Sequence, residues 1–216
     1  VTNRLSLYND VLLECKERKI ASLTVNEPTR RYLDELWDNG WVDDCLGEGQ
    51  WLFAKRSVQL NPETNVTPLF GRQYAYAKPI DHIRTMEFCS DEYFKAPLLQ
   101  VDVAGSYWFA DIGPLYCSYV SNDASFGNDL SKWPADFTAF ARFYGAWRIH
   151  PKLTGSKVDR AELKKNLKDA KLQAQSSDSM EQPTRFLPAG TFTSARTAGR
   201  NGGAWDRGSR RSLYGY

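Results

Sequence analysis

The hydrophobic positions of this chain change period twice, and those changes divide it. Leu5, Tyr8, Leu12 and Cys15 recur at helical spacing and Val11 widens the stripe, which predicts an amphipathic helix over 4–18. After the link KIASLTVNEP, Pro28 precedes a second run in which Leu33, Leu36, Trp37 and Trp41 share a face. Proline is acceptable in a first turn because its missing N–H has no intrahelical partner there. Gly40 weakens the middle of this second helix, and Gly47 and Gly49 end it, so the two short-linked helices make a helical hairpin.

Strand formers take over from Trp51 to Leu60 and stop at Asn61-Pro62, a turn signal; 61–70 reads as loop. Further strand candidates lie at 73–78, 85–89, 98–103, 106–111 and 115–121. The last three are separated by Ala104-Gly105 and Gly113-Pro114, as in an antiparallel meander, and YWFAD followed by PLYCSYV is the clearest hairpin. Helical period then returns. Ser131 offers a cap, Pro134 sits early, Phe137, Phe140, Ala141, Tyr144, Trp147 and Arg148 lead to His150, and Pro151 closes the helix. A fourth helix over 156–176 carries Val158, Leu163, Leu167, Ala170 and Ala174 in a thin apolar stripe, which predicts a place on the outside. The fold class expected is α+β, mainly α. A four-helix bundle-like body of two helical hairpins (1–50 and 131–182) takes an antiparallel β-lobe (51–130) between helices 2 and 3, and an extended tail (183–216) follows.

Composition changes this picture at one place, the C-terminal end. Hydrophobic residues at 42% and charged residues at 25% are ordinary for a globular protein. The net charge of +2 hides an asymmetry, because 183–216 holds six Arg and one acid while 1–182 holds 22 basic and 25 acidic residues. This basic segment has no hydrophobic period and cannot bury enough apolar surface to offset ordering entropy, so it is expected to order only against a partner. Phe192, Arg196, Arg200, Trp205, Arg207, Arg210, Arg211, Tyr214 and Tyr216 are its candidate contacts with a partner, since Arg and aromatic side chains anchor interfaces. Arg with Gly and aromatics also serves sequence-tolerant nucleic-acid binding, so an accessory nucleic-acid-binding protein acting through this tail is the alternative reading.

Catalytic chemistry leaves no pattern. There is no HExxH, GxSxG, Walker A loop or GxGxxG. His82 is placed in a turn beside Pro79, and His150 at a helix C-terminus, where an imidazolium suits the dipole. Cys15, Cys45, Cys89 and Cys117 have no metal-ligand spacing and read as buried free thiols of a protein made in a reducing cytoplasm. Asp43-Asp44 are expected as solvated helix charges and Asp91-Glu92 as turn caps, because adjacent residues point too far apart to share a substrate. The expectation is a non-enzyme with no catalytic residue, cofactor or metal. No run of about 18 apolar residues predicts a membrane helix, and the polar opening VTNRLSLYND is not a leader pattern.

The stretch TRRYLDELWDNGWVDDCLGEGQWLFAKRSVQL at 29–60, with Arg30-Arg31, Leu33-Asp34, Trp37, Cys45-Leu46, Gly49-Gln50-Trp51 and Phe53-Ala54, resembles the tail adaptor family of short-tailed phages. These are also called head-to-tail connectors or tail tubular protein A. Cys89-Ser90-Asp91-Glu92-Tyr93, YWFAD…PLYCSYVSND and Leu130-Ser131-Lys132-Trp133-Pro134 extend the likeness, which runs to about Met180. The resemblance implies a structural subunit of the virion, assembled in the host cytoplasm. It would form a twelve-fold ring between the portal protein and the tail nozzle, with DNA passing through the lumen without sequence-specific binding. An acidic body would discourage DNA from sticking in such a channel. Trp37, Trp51 and Phe53 are then expected between the helical hairpin and the β-lobe, with Gly49 letting the chain turn.

Overall fold

A computed structural model describes residues 2–68, 71–153 and 156–181. Five α-helices and two three-stranded antiparallel sheets are found there: α1 (Arg4–Glu14), α2 (Pro28–Asp38), α3 (Trp41–Gly47), β1 (Lys55–Leu60), β2 (Tyr74–Ala77), β3 (His82–Cys89), β4 (Asp102–Ala104), β5 (Tyr107–Ala110), β6 (Leu115–Ser121), α4 (Ala135–Leu153) and α5 (Lys157–Glu181).

The helices start and stop for local reasons. Asn3 and Ser6 form a reciprocal capping box at the start of α1. The helix ends four residues before the predicted boundary because Lys16 takes a left-handed conformation (φ 60°). Its N–H donates to Leu13 and that of Glu17 to Leu12, which satisfies two terminal carbonyls. The second predicted helix is two helices. Gly40 (φ 82°) leaves right-handed space altogether, donates to Trp37 O, and so ends α2 and opens α3. Glycine does this without the steric cost that a Cβ would add.

Two further local expectations are corrected. Ser131 lies inside a short 3-10 turn capped by Asp129, one turn before α4. Pro151 does not close α4, which runs on to Leu153. Proline falls in the last turn, where only one intrahelical bond is forfeited. α5 extends past the predicted end, to Glu181.

The clearest hairpin of the sequence does not exist. β5 pairs with β2 and β4, β6 pairs with β1 and β3, and the two strands belong to different sheets. Each is the central strand of its sheet, so both of its edges are already taken. β6 also shows why it is central. Leu115, Cys117 and Tyr119 point into a cluster shared with Tyr76, Trp108 and Ala110 of the other sheet. Val120, of opposite parity, joins the helical core instead. Buried on both faces, the strand reads as an almost continuous apolar run.

The larger core gathers the helices around α4. Leu7, Tyr8, Val11 and Leu12 of α1, Leu33 of α2, Trp41, Cys45 and Leu46 of α3 and Leu163 and Ala174 of α5 are all buried with Phe137, Phe140 and Ile149. Trp51 and Phe53 were expected to join hairpin to β-lobe. They pack on α4 instead, with ring centroids 4.8 and 4.7 Å from Phe137. Trp37 lies against Tyr8 and Trp41 among the helices. The Gly49-Gln50-Trp51 motif also has a local cause. The Trp51 indole folds back to donate to Cys45 O (3.1 Å), and a Cβ on Gly49 would lie 2.7 Å from that ring.

Candidate interaction surfaces

Phe192, Arg196, Arg200, Trp205, Arg207, Arg210, Arg211, Tyr214 and Tyr216 lie outside the described residues.

Most of the groups that chemistry would use are engaged in structure. The His82 Nε2 lies 2.8 Å from Thr85 Oγ1, and its ring is wedged between Trp108 (5.1 Å) and Tyr119 (5.4 Å) at the start of β3. Burial, and then the Lys78 charge, push its pKa down. His150 is buried in the last turn of α4, with no hydrogen-bond partner at Nδ1 among the described residues. All four cysteines are buried thiols outside any disulfide, as expected. Burial pushes those of Cys15 and Cys117 up to about 12, which disfavours a thiolate. Among the described residues, no group of three or more His, Cys, Asp or Glu could hold a metal ion.

The paired carboxylates diverge. Asp43 accepts from Asn122 Nδ2 (3.1 Å), whereas Asp44 accepts from the Tyr144 hydroxyl (2.9 Å). Asp44 is exposed, as expected of a solvated helix charge, and Asp43 is half-buried; their hydrogen bonds also tie α3 to α4 and to the segment after β6. Asp91 caps its loop as expected, taking the N–H groups of Lys95 (3.1 Å) and Ala96 (2.8 Å), and these hold its carboxyl below the ordinary range.

A cleft of about 330 Å³ opens where the end of α5 meets the Gly47–Leu52 segment, and it is lined in part by Gln50, Trp51, Arg84, Met86 and Asp178. Several of its polar groups hold the joint itself. Both Asp178 oxygens accept from Leu52 N–H (2.9 and 3.2 Å), Gln175 Nε2 donates to Glu48 O (3.0 Å), and Arg84 donates to Gly47 O (2.8 Å). Burial pushes the Asp178 pKa up. This cleft fastens α5 and offers no free reactive group.

Exposed apolar side chains occur on two other parts of the chain. Ile80, just before β3, is fully exposed and Leu99, next to the residue bonded to Phe88 at the other end of that strand, is 92% exposed; Tyr93 and Val103 are exposed as well. On α5, Val158, Leu172 and Met180 are all exposed. At 100° per residue they share an arc of about 80°. Val158 had been counted in the buried stripe of this helix; in the structure it lies off that stripe, which consists of Leu163, Leu167, Ala170 and Ala174. The exposed set on the β side left one sequence signal, an isoleucine inside a Lys-Pro-Ile-Asp turn where solvent-facing polar residues are usual.

No family model and no curated protein matches this chain. Among the described residues, no helix is long and apolar enough to cross a membrane.

Proposed function

We propose that this chain is a structural adaptor subunit of a phage head-to-tail junction. It forms a ring between the portal and the tail nozzle through which DNA passes. The observation that supports the reading is that exposed apolar residues occur on two unlike elements, Ile80 and Leu99 in loops flanking β3 and Val158, Leu172 and Met180 on one arc of α5. A closed ring is built from head-to-tail contacts, so each subunit needs two different patches that complement each other. Single exposed apolar residues are ordinary on a protein surface, but several aligned on one arc of a helix suit a contact with a partner.

The resemblance of 29–60 to tail adaptors supports the same reading. In it, the helices form a bundle-like body, 51–130 is the inserted lobe, and 183–216 is an arm reaching a neighbour or the portal. The arm offers Arg196, Arg200, Arg207, Arg210 and Arg211 for bidentate pairing with carboxylates, and Phe192, Trp205, Tyr214 and Tyr216 as aromatic anchors.

The test is co-elution of the chain with portal rings of its phage in size exclusion. The full chain is expected to shift into the portal peak and the chain lacking 183–216 to remain free. Failure of both to bind overturns the adaptor reading. Equal binding of both removes the arm from portal contact and leaves it to neighbouring subunits.

A further inference from the structure

The outward side of α5 carries a second surface beside its apolar arc. Lys157, Arg160, Lys164, Lys168 and Lys171 are spaced by three or four residues, so they fall within an arc of about 80°. One cation per turn, 5.4 Å apart, makes a line about 21 Å long. The acids of this half of the helix, Asp159, Glu162 and Asp169, all lie outside that arc. Lys171 is paired with Glu48. Among the described residues, Lys157, Arg160, Lys164 and Lys168 meet no carboxylate at ion-pair distance. The helical acid Asp159 is instead committed to Lys16 at 3.0 Å.

The line is also shaped. A shallow groove of about 270 Å³ runs between α4 and α5, lined by Trp147, Lys157, Arg160, Ala161 and Lys164. The Arg160 guanidinium stands 5.7 Å from the Trp147 ring centroid, which fixes its position on the groove wall.

We propose that this stripe binds the phosphate backbone of double-stranded DNA, without reading its bases. The chemistry of the arc favours a polyanion over a protein. The centre of a protein interface is depleted in charge and anchored by apolar side chains. Here the apolar residues Val158, Leu172 and Met180 occupy the neighbouring arc, and the stripe itself presents ammonium and guanidinium groups alone. Lysines on long stems suit a duplex that carries one negative charge per about 1.7 Å of axis, and they contact phosphate rather than base edges. The acidic balance of residues 1–182 is a sum over the whole surface; this line is locally positive from Lys157 to Lys168. The surface is distinct from the Arg/Gly segment. It deepens the adaptor reading by naming which face of the subunit meets DNA, and it is tested on the free chain, so either can fail alone.

Fluorescence anisotropy of a labelled 20-base-pair duplex, titrated with the full chain between 20 and 200 mM KCl, decides it. Four neutralised phosphates give a slope of log Kobs against log[salt] of about −3.6. The variant Lys157→Gln/Arg160→Gln/Lys164→Gln/Lys168→Gln is expected to melt like the parent, to bind at least tenfold more weakly at 50 mM salt, and to lose most of that slope. Replacing the three lysines by arginine is expected to preserve binding. A parent chain that does not bind the duplex overturns the proposal. So does a quadruple variant that binds as the parent does, or loss of binding only when the six arginines of 183–216 are changed to glutamine. Poly-glutamate bound through the same four residues in preference to the duplex would assign the stripe to an acidic protein and equally overturn it.

Discussion

The indole of Trp41 stands where a side chain on Gly145 would be: a Cβ at residue 145 would come within 2.4 Å of Trp41 Cζ2. The indole N–H donates to Ala141 O (3.1 Å), one turn earlier on α4. α3 is thus seated on α4 by a tryptophan lying over a glycine, and the buried Tyr8 of α1 lies nearly parallel to the same ring with centroids 6.4 Å apart.

Gly145→Ala sets two effects against each other. Alanine gains about 0.5–1 kcal/mol over glycine inside a helix. Forcing a methyl against a fully buried, hydrogen-bonded tryptophan costs about 1–3 kcal/mol. The clash wins, and urea denaturation is expected to show net destabilisation of about 1–2 kcal/mol. In a Trp41→Leu background the same substitution is expected to become neutral or stabilising. Additive effects in the double variant would show that the two residues do not share this space.

Trp51 is 1% exposed and meets Phe137 and Phe140 while donating to Cys45 O. Trp51→Ala is expected to cost the subunit about 3–5 kcal/mol, the range for removing a large core aromatic. Thermal melting of the isolated chain reads it. A variant that melts like the parent yet fails to assemble would place Trp51 at an interface.

Asp81 precedes β3 and accepts from Arg56 Nη1 (2.8 Å), the Tyr119 hydroxyl (3.0 Å) and Ser121 Oγ, with its side chain 18% exposed. Burial alone would raise its pKa, but the donors from Ser121, Arg56 and Tyr119 outweigh it and hold the carboxyl below its ordinary 3.8. A depressed folded pKa contributes stability that is fully present above the unfolded value and is lost as pH falls through the folded one. Asp81→Asn is expected to lower stability by about 1.5–3 kcal/mol at pH 6, the range for hydrogen bonds to a charged group. The gap from the parent should narrow below pH 3.8. Denaturant midpoints at pH 6, 4 and 3 would show it; a gap independent of pH would mean that the charge of Asp81 contributes nothing.

What the sequence determined by itself was local. The 3.6-residue period located α1, α4 and α5, the glycines and prolines marked most of the breaks, and β-branched and aromatic runs located β1, β2, β5 and β6. These depend on the nearest few residues, whose hydrogen bonds and side-chain directions repeat along the chain. It also set 183–216 apart as a basic Arg/Gly segment without hydrophobic period, and the cations of α5 were in plain view without the wheel that aligns them.

Tertiary structure alone decided how the strands are shared out and which apolar residues are left over. YWFAD and PLYCSYV are separated by a turn signal and look like a hairpin, yet pairing energy comes from cross-strand neighbours distant in sequence. β1 and β3 flank β6, β2 and β4 flank β5, and both central strands are then full. In the same way, Val158 and Leu163 are alike as letters on one helix. Only the packing of α5 on α4 buries Leu163 and leaves Val158 in water, because the helix is fixed in rotation by Leu52 N–H and Glu48 O holding Asp178 and Gln175.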